Sequence, residues 1–274
     1  KLDGKVAVIT GAGSQTGIGM ETAMAMAAEG AKVLLNDVCK DPDGSWGVDR
    51  VVNQIKADHG IAVANYESVA SMEGGQNIIK AAIDNFGRVD IMVNAAGNFK
   101  IIPTVDVTEK DWDDIVNVHL KGLFAITQAG IREMIKQGSG GRIINFTSMA
   151  AYSPDLGPGP SAAYCAAKGG VLGYTRLLAV ELKEYGITAN SISPGAKSTL
   201  FPFEAPGPEY VAPMIVYLAT EEAKDITGQV IRIIGGDIIV YAPPMGMPGA
   251  HQQLHKPGKW TVDELTELMP NMIS

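Results

Sequence analysis

"ITGAGSQTGIG", Ile9 to Gly19, follows the apolar run "KVAV" and leads into a helical pattern. It packs four glycines, Gly11, Gly13, Gly17 and Gly19, into nine residues. Glycine admits positive φ and lets another backbone or a ligand come close. The stretch is therefore a strand-to-helix turn with two readings: a cradle for a phosphate on the free N–H groups of the helix start, or a turn that is merely tight. Gly11, Gly13 and Gly17 read G-x-G-x-x-x-G, which misses the strict dinucleotide spacing. Both readings stay open on this stretch alone.

Outward from the turn, short apolar runs alternate with helical patterns. The pattern predicts strands over 5–10, 32–36, 61–65, 89–94, 142–147, 188–193 and 229–234. Helices are predicted over 17–29, 48–59, 72–86, 110–136, 162–185 and 209–220. Strands apolar on both faces and separated by helices imply an α/β fold, a doubly wound parallel sheet of about seven strands with helices on both faces. Such sheets bind ligands beyond the carboxyl ends of their strands. One Rossmann-type catalytic domain over 1–240 is expected, with a Pro/Gly-rich tail over 241–274 belonging to the same domain. In that tail, Thr261 and Glu264 have capping-box spacing for one short helix. A second Pro/Gly loop, "SPDLGPGPSAA", spans 153–163.

The 274 residues are 46% hydrophobic and 6% aromatic, with a formal net charge of −8. That charge repels a phosphate backbone, so nucleic acid is excluded as a partner. No run approaches the ~20 apolar residues of a membrane span, and the start "KLDGKVAVIT" lacks a signal-peptide layout. Cys39 and Cys165 have no metal-ligand spacing, and no metal is expected. A soluble protein of the cytoplasm is the expectation.

Asp37 ends the second predicted strand, "KVLLND". A carboxylate there can accept both adenosine ribose hydroxyls and would oppose a 2′-phosphate. No Arg follows it immediately, so NAD is expected over NADP; the alternative is a solvated strand end. "YCAAK", Tyr164 to Lys168, puts a phenol and an ammonium one helical turn apart. The ammonium would lower the phenol's ordinary pKa of ~10 and suit it to proton exchange with an alcohol or ketone. By itself this spacing also fits a solvated helix face. Ser148 closes "RIINFTS" at a strand end, as a substrate-binding hydroxyl or a helix cap.

Together "TGAGSQTGIG", "NAAG" (Asn94–Gly97), Ser148, "YCAAK", "SPG" (Ser193–Gly195) and "TGQVIRIIGG" resemble the short-chain dehydrogenase/reductase family over nearly the whole chain. The resemblance implies a nicotinamide oxidoreductase. Tyr164 would be the acid–base, Lys168 would lower its pKa and hold the nicotinamide ribose, and Ser148 would bind the substrate oxygen. Cofactor contacts would come from Gly11, Gly13, Ser14, Thr16, Gly17, Ile18 and Gly19, from Asp37, from Asn94, Ala95 and Gly97, from Tyr164 and Lys168, and from Pro194 and Gly195.

Three departures stand out. The glycine turn is two residues longer than the family's usual T-G-x-x-x-G-x-G, around Ser14–Thr16, whose hydroxyls either reach the pyrophosphate or ride on a bulge. The gap from Ser148 to Tyr164 is also longer. His119, in "VHLKG", replaces the Asn that anchors a proton-relay water in most members, so a relay role behind Lys168 competes with a plain helix histidine bonded to backbone. That His, with "VANYESV", "DWDDIVNVHLKG" and "PEYVAPMIVYLAT", resembles the (3R)-hydroxyacyl-CoA dehydrogenase branch found in peroxisomal multifunctional enzymes of type 2. It implies a 3-hydroxyacyl-CoA thioester as small-molecule substrate. The short stretch 199–208 suits a substrate with one end in solvent, and a stand-alone relative without a peroxisomal tripeptide fits the cytoplasm. Competing readings are a steroid or cyclic-alcohol dehydrogenase and a non-catalytic NAD-sensing protein. Homodimers or homotetramers are usual in the family, and 110–136 and 162–185 look like its subunit-packing helices.

Overall fold

The computed structural model describes residues 1–152, 159, 161–198, 201 and 204–241. Strand β1, Val6–Thr10, is buried along its whole length, and the turn that follows it runs into helix α1, Ile18–Ala28. The chain then alternates: β2 Lys32–Asn36, α2 Gly47–Ala57, β3 Ile61–Asn65, α3 Met72–Phe86 and β4 Ile91–Asn94. After these come α4 Glu109–Val116, a π-helical segment Asn117–Gly122, α5 Leu123–Gln137 and β5 Gly141–Phe146. The last elements are α6 Ala162–Glu181, β6 Ile187–Pro194, α7 Ala212–Ala219, β7 Val230–Ile234 and β8 Asp237–Tyr241.

The strands form one sheet in the order β3-β2-β1-β4-β5-β6-β7-β8. All neighbours pair in parallel except β7 and β8, which are antiparallel. Because side chains alternate across a strand, Ala7 and Ile9 join the core on one face while Val8 joins the other. The first face packs α1, α2 and α7 against β-branched and Leu side chains such as Val33, Leu35, Ile144 and Ile231. The second packs α3, α5 and α6 over Leu34, Met92, Ile143 and Ala189. Each large apolar side chain so buried stabilises the fold by roughly 1.5–3 kcal/mol.

Helix boundaries follow local chemistry. Ser71 caps α3 by accepting from the Gly74 N–H at 3.0 Å, and Gly87 ends that helix with φ +78°. Thr108 and Asp111 form a capping box at the start of α4.

Among the described residues the sheet has eight strands, one more than the sequence pattern predicts. In "IRIIGGDIIV", Gly235 and Gly236 make a two-residue hairpin turn, with Ile234 opposite Asp237. A Gly-Gly pair between apolar runs is the local signal for such a hairpin. The helix expected over 110–136 is interrupted by the π turn at Asn117–Gly122. Periodicity alone missed the turn because one extra residue leaves the apolar pattern nearly intact. Lys1–Tyr241 forms one compact unit. The expected tail helix at Thr261–Glu264 and most of the 153–163 loop lie outside the described residues.

Candidate active site

The carboxyl ends of β1, β4, β5 and β6 meet where the glycine turn begins. A Cβ on Gly11 (φ +69°) would lie 2.7 Å from the Ala95 carbonyl oxygen, and one on Gly19 would lie 2.3 Å from that of Gly11. On Gly13 it would crowd Asp37 Cβ at 3.0 Å, and on Gly17 it would crowd Ser14 Cβ at 2.9 Å. Gly11 and Gly19 thus let backbone meet backbone, while Gly13 and Gly17 make room for the Asp37 and Ser14 side chains, and the turn is tight for the protein's own sake. It still fits an anion. Gly17 caps α1 with no side-chain hydrogen bond, so the N–H groups at the start of that eleven-residue helix lack the usual cap. An uncapped helix start of this kind is a ready phosphate site. Ile18 opens the helix, while Ser14 and Thr16 sit on the outer part of the turn.

Beside it, "NAAG" is tied to the turn by the Ala96 N–H, which donates to Thr10 Oγ1 at 3.1 Å. Asn94 is buried and donates to Asn145 Oδ1 at 2.8 Å and to Thr127 Oγ1 at 3.2 Å. Asn145 in turn donates to Thr175 Oγ1 on α6 at 2.9 Å. This polar ladder fixes β4, β5 and α6 in register. Sequence reading missed Asn145, Thr127 and Thr175, although an Asn inside the apolar run "RIINF" is the available signal.

Ser148, Tyr164 and Lys168 come together at the end of the ladder. Ser148 acts as a helix cap, its hydroxyl accepting from the Ala150 N–H at 3.3 Å, and it stands near enough to the Tyr164 phenol to pull its pKa down. Lys168 is buried, donates to the Phe146 carbonyl at 2.7 Å, and lies 5.5 Å from the Tyr164 ring centroid. Burial pulls its ammonium down to about 7. Burial also pushes the Tyr164 phenol up to about 12, against a downward pull from Ser148. The expected lowering of Tyr164 by Lys168 is therefore absent here, because desolvation of the phenolate dominates.

Tyr164 is boxed by rings. Phe99 meets it edge-on at 4.9 Å, His119 at 5.1 Å and 90°, and Phe201 at 6.0 Å. His119 comes from the π turn. Its Nε2 lies 2.7 Å from the Asn98 carbonyl oxygen and 3.1 Å from the Asn98 N–H. The ring tautomer decides between them: a protonated Nε2 donates to the carbonyl, and a bare Nε2 accepts from the N–H. Gly97 makes room for this ring, since a Cβ there would lie 2.8 Å from His119 Cε1. Burial, then the nearby Lys168 charge, hold the imidazole well below 6.5. Burial thus favours the neutral ring, which is bonded to the Asn98 backbone.

At the other end of the strand row, Asp37 Oδ2 accepts from the Gly13 N–H at 2.9 Å, and Oδ1 accepts from Val38 and Cys39 at 2.7 and 3.0 Å. These three N–H groups fix the carboxylate beside the glycine turn and leave a lone pair on Oδ2. Gly195 follows β6, its N–H donating to Ile233 at 2.7 Å, and a Cβ there would strike Ile234 at 2.3 Å. Pro194 ends the strand and stands with Gly195 at the same sheet edge as Phe146. Among the described residues, no group of three or more His, Cys, Asp or Glu is placed to hold a metal. No helix among them is long and apolar enough to cross a membrane.

The short chain dehydrogenase family model matches residues 5–202. The chain is 39% identical over 239 residues to the peroxisomal multifunctional enzyme type 2 of Mus musculus, covering 83% of this chain and 31% of that protein. It thus spans about a third of that relative. It is 37% identical over 253 residues to a 3-oxoacyl-[acyl-carrier-protein] reductase of Synechocystis sp., covering 87% of this chain and 98% of the reductase. A crystal structure of a short chain dehydrogenase from Mycobacterium avium superposes with a TM-score of 0.89 at 34% identity, covering 99% of this chain and 95% of that one. With Ser148, Tyr164 and Lys168 gathered beside a glycine turn at the sheet's carboxyl edge, the chain belongs to the short-chain dehydrogenase/reductase family of nicotinamide-dependent oxidoreductases.

Proposed function

We propose that this chain is an NAD-dependent dehydrogenase that interconverts a secondary alcohol and its ketone, with a 3-hydroxyacyl-CoA and 3-oxoacyl-CoA pair as substrate. The carrying observation is the convergence of Ser148, Tyr164 and Lys168 in one buried site beside the turn that Asp37 closes. Two relatives support the thioester, being named for 3-oxoacyl-[acyl-carrier-protein] reduction. When bound, the nicotinamide exchanges a hydride with the carbinol carbon.

The protein's own part is to hold the oxygen and move its proton. Ser148 holds the substrate oxygen. In reduction, the Tyr164 phenol gives its proton to the carbonyl oxygen as the C–H bond forms. In oxidation, the Tyr164 phenolate takes the hydroxyl proton as that bond breaks. A phenol held at about 12 favours the protonated form, which suits donation in reduction, and oxidation draws on the downward pull of Ser148 toward the phenolate.

The decisive assay follows NADH formation with 3-hydroxyacyl-CoA esters, cyclic secondary alcohols and steroids side by side. Turnover of the steroids alone would favour the second substrate class, and NADH binding without any turnover would favour a sensor. Exposed Phe124 and Ile135 on α5 and Leu177 and Val180 on α6 support association into a homodimer or homotetramer through these helices. Light scattering tests that assembly, and cell fractionation tests the cytoplasmic placement.

A further inference from the structure

The loop between β2 and α2, residues 37–46, does more than connect. From α2, Arg50 donates through Nη2 to the Gly13 carbonyl at 2.9 Å and through Nε to Asp41 Oδ2 at 2.9 Å. Asp41 is well covered, with its side chain 12% exposed. Its other oxygen accepts from Gln15 at 3.2 Å, one of the residues that lengthen the glycine turn. Gly47 lets this arrangement close, since a Cβ there would lie 2.2 Å from the Gly13 carbonyl oxygen. The long turn and the long loop thus meet through Gln15, Asp41 and Arg50.

Asp37 and Arg50 therefore grip opposite sides of one residue: the carboxylate takes the N–H of Gly13 and the guanidinium takes its carbonyl. A guanidinium beside the ribose-binding carboxylate is the group that would welcome a 2′-phosphate, because its planar fork matches phosphate oxygens. Here its Nε and Nη2 are taken by Asp41 and Gly13, and Nη1 rests on Met20 Sδ at 3.5 Å. The loop's own cation, Lys40, is held 4.4 Å over the Trp46 ring.

We infer that Asp41 is a positioning residue for cofactor choice: it locks Arg50 against the glycine turn and so denies that cation to a 2′-phosphate. The inference rests on the dinucleotide reading of the site and adds a second determinant to Asp37. Sequence reading looked for an Arg directly after Asp37 and found none, whereas the relevant Arg arrives from the helix thirteen positions on.

Asp41→Asn keeps the shape and removes the charge. NADH and NADPH are titrated against wild type and variant by cofactor fluorescence. The variant should bind NADPH about tenfold better relative to NADH, the scale of one charge-assisted hydrogen bond. Adding Arg50→Met should return the ratio to that of wild type. Should the Asn variant fail to fold, Asp41→Ser carries the same expectation. An unchanged ratio, or equal weakening of both cofactors, would reduce Asp41 to a loop clamp and overturn the inference. A wild type that prefers NADPH would overturn the NAD reading alone, because the shift on removing Asp41 is still read as a ratio. Failure of wild type to bind either dinucleotide would overturn both.

Discussion

Around Tyr164 the protein is dry and aromatic: three rings, a buried ammonium and one serine hydroxyl, all supplied by strand ends and helices. Around Asp37 it is half-exposed and charged, held by backbone N–H groups and by a loop that reaches over the glycine turn. The first surroundings set protonation through desolvation, and the second set binding through fixed charges. A change at the first should therefore alter turnover and leave cofactor affinity alone, while a change at the second should do the reverse.

Tyr164→Phe gives the sharpest contrast. It removes the hydroxyl but keeps the ring among Phe99, His119 and Phe201, so NADH affinity should hold while turnover falls ~10²–10⁴-fold. Steady-state rates beside fluorescence titration check it, and retained turnover would move the acid–base elsewhere. Gly19→Ala tests whether the turn is structural. Its Cβ would lie 2.3 Å from the Gly11 carbonyl, and overpacking of that kind costs roughly 1–3 kcal/mol. Denaturant unfolding should show the loss even without cofactor; a variant as stable as wild type would return the turn to a purely phosphate-serving role.

Asp37→Ala acts at the other end. It should narrow the gap between NAD and NADP by about tenfold with turnover at saturating cofactor little changed, as read by calorimetry. Equal affinities in the unmutated protein would remove the premise. The smallest effect is expected at His119. Its folded pKa lies below the unfolded 6.5, so between those values the unfolded chain binds more protons and stability falls as pH falls. Wild type should therefore lose stability below pH ~6.5 relative to His119→Asn, by at most about 1.4 kcal/mol per pH unit. Above that pH the two should have parallel rate profiles. An inflection near neutrality that vanishes in His119→Asn would favour the proton-relay role.

The comparison also explains what could be read from sequence. The sheet was legible because runs such as "VAVIT" and "KVLLN" are buried strands whose limits follow hydropathy. Tyr164 and Lys168 were legible because helical spacing fixes which residues share a face. Two things escaped at the catalytic end. One was the sign of the Tyr164 shift, because burial is a property of the assembled site. The other was the polar ladder from Asn94 to Thr175, whose members lie far apart in sequence. At the adenosine end, Asp37 was visible as a strand end. Its neighbours were not, since Gln15, Asp41 and Arg50 meet only through loop geometry that no spacing rule describes.

The π turn at Asn117–Gly122 bears on which changes in length this protein can absorb. An α-helix advances 100° per residue, and the wider π turn takes in one extra residue while leaving the helix on either side nearly in phase. Helix α4 packs on α6, which carries Tyr164, whereas α5 packs on α3 across the sheet's second face. Deleting one residue from the turn would let α4 and α5 run on as one α-helix with both packings kept, and it would displace His119, which the turn carries. Deleting a residue from α4 or α5 outside the turn would instead rotate one packing face against the other.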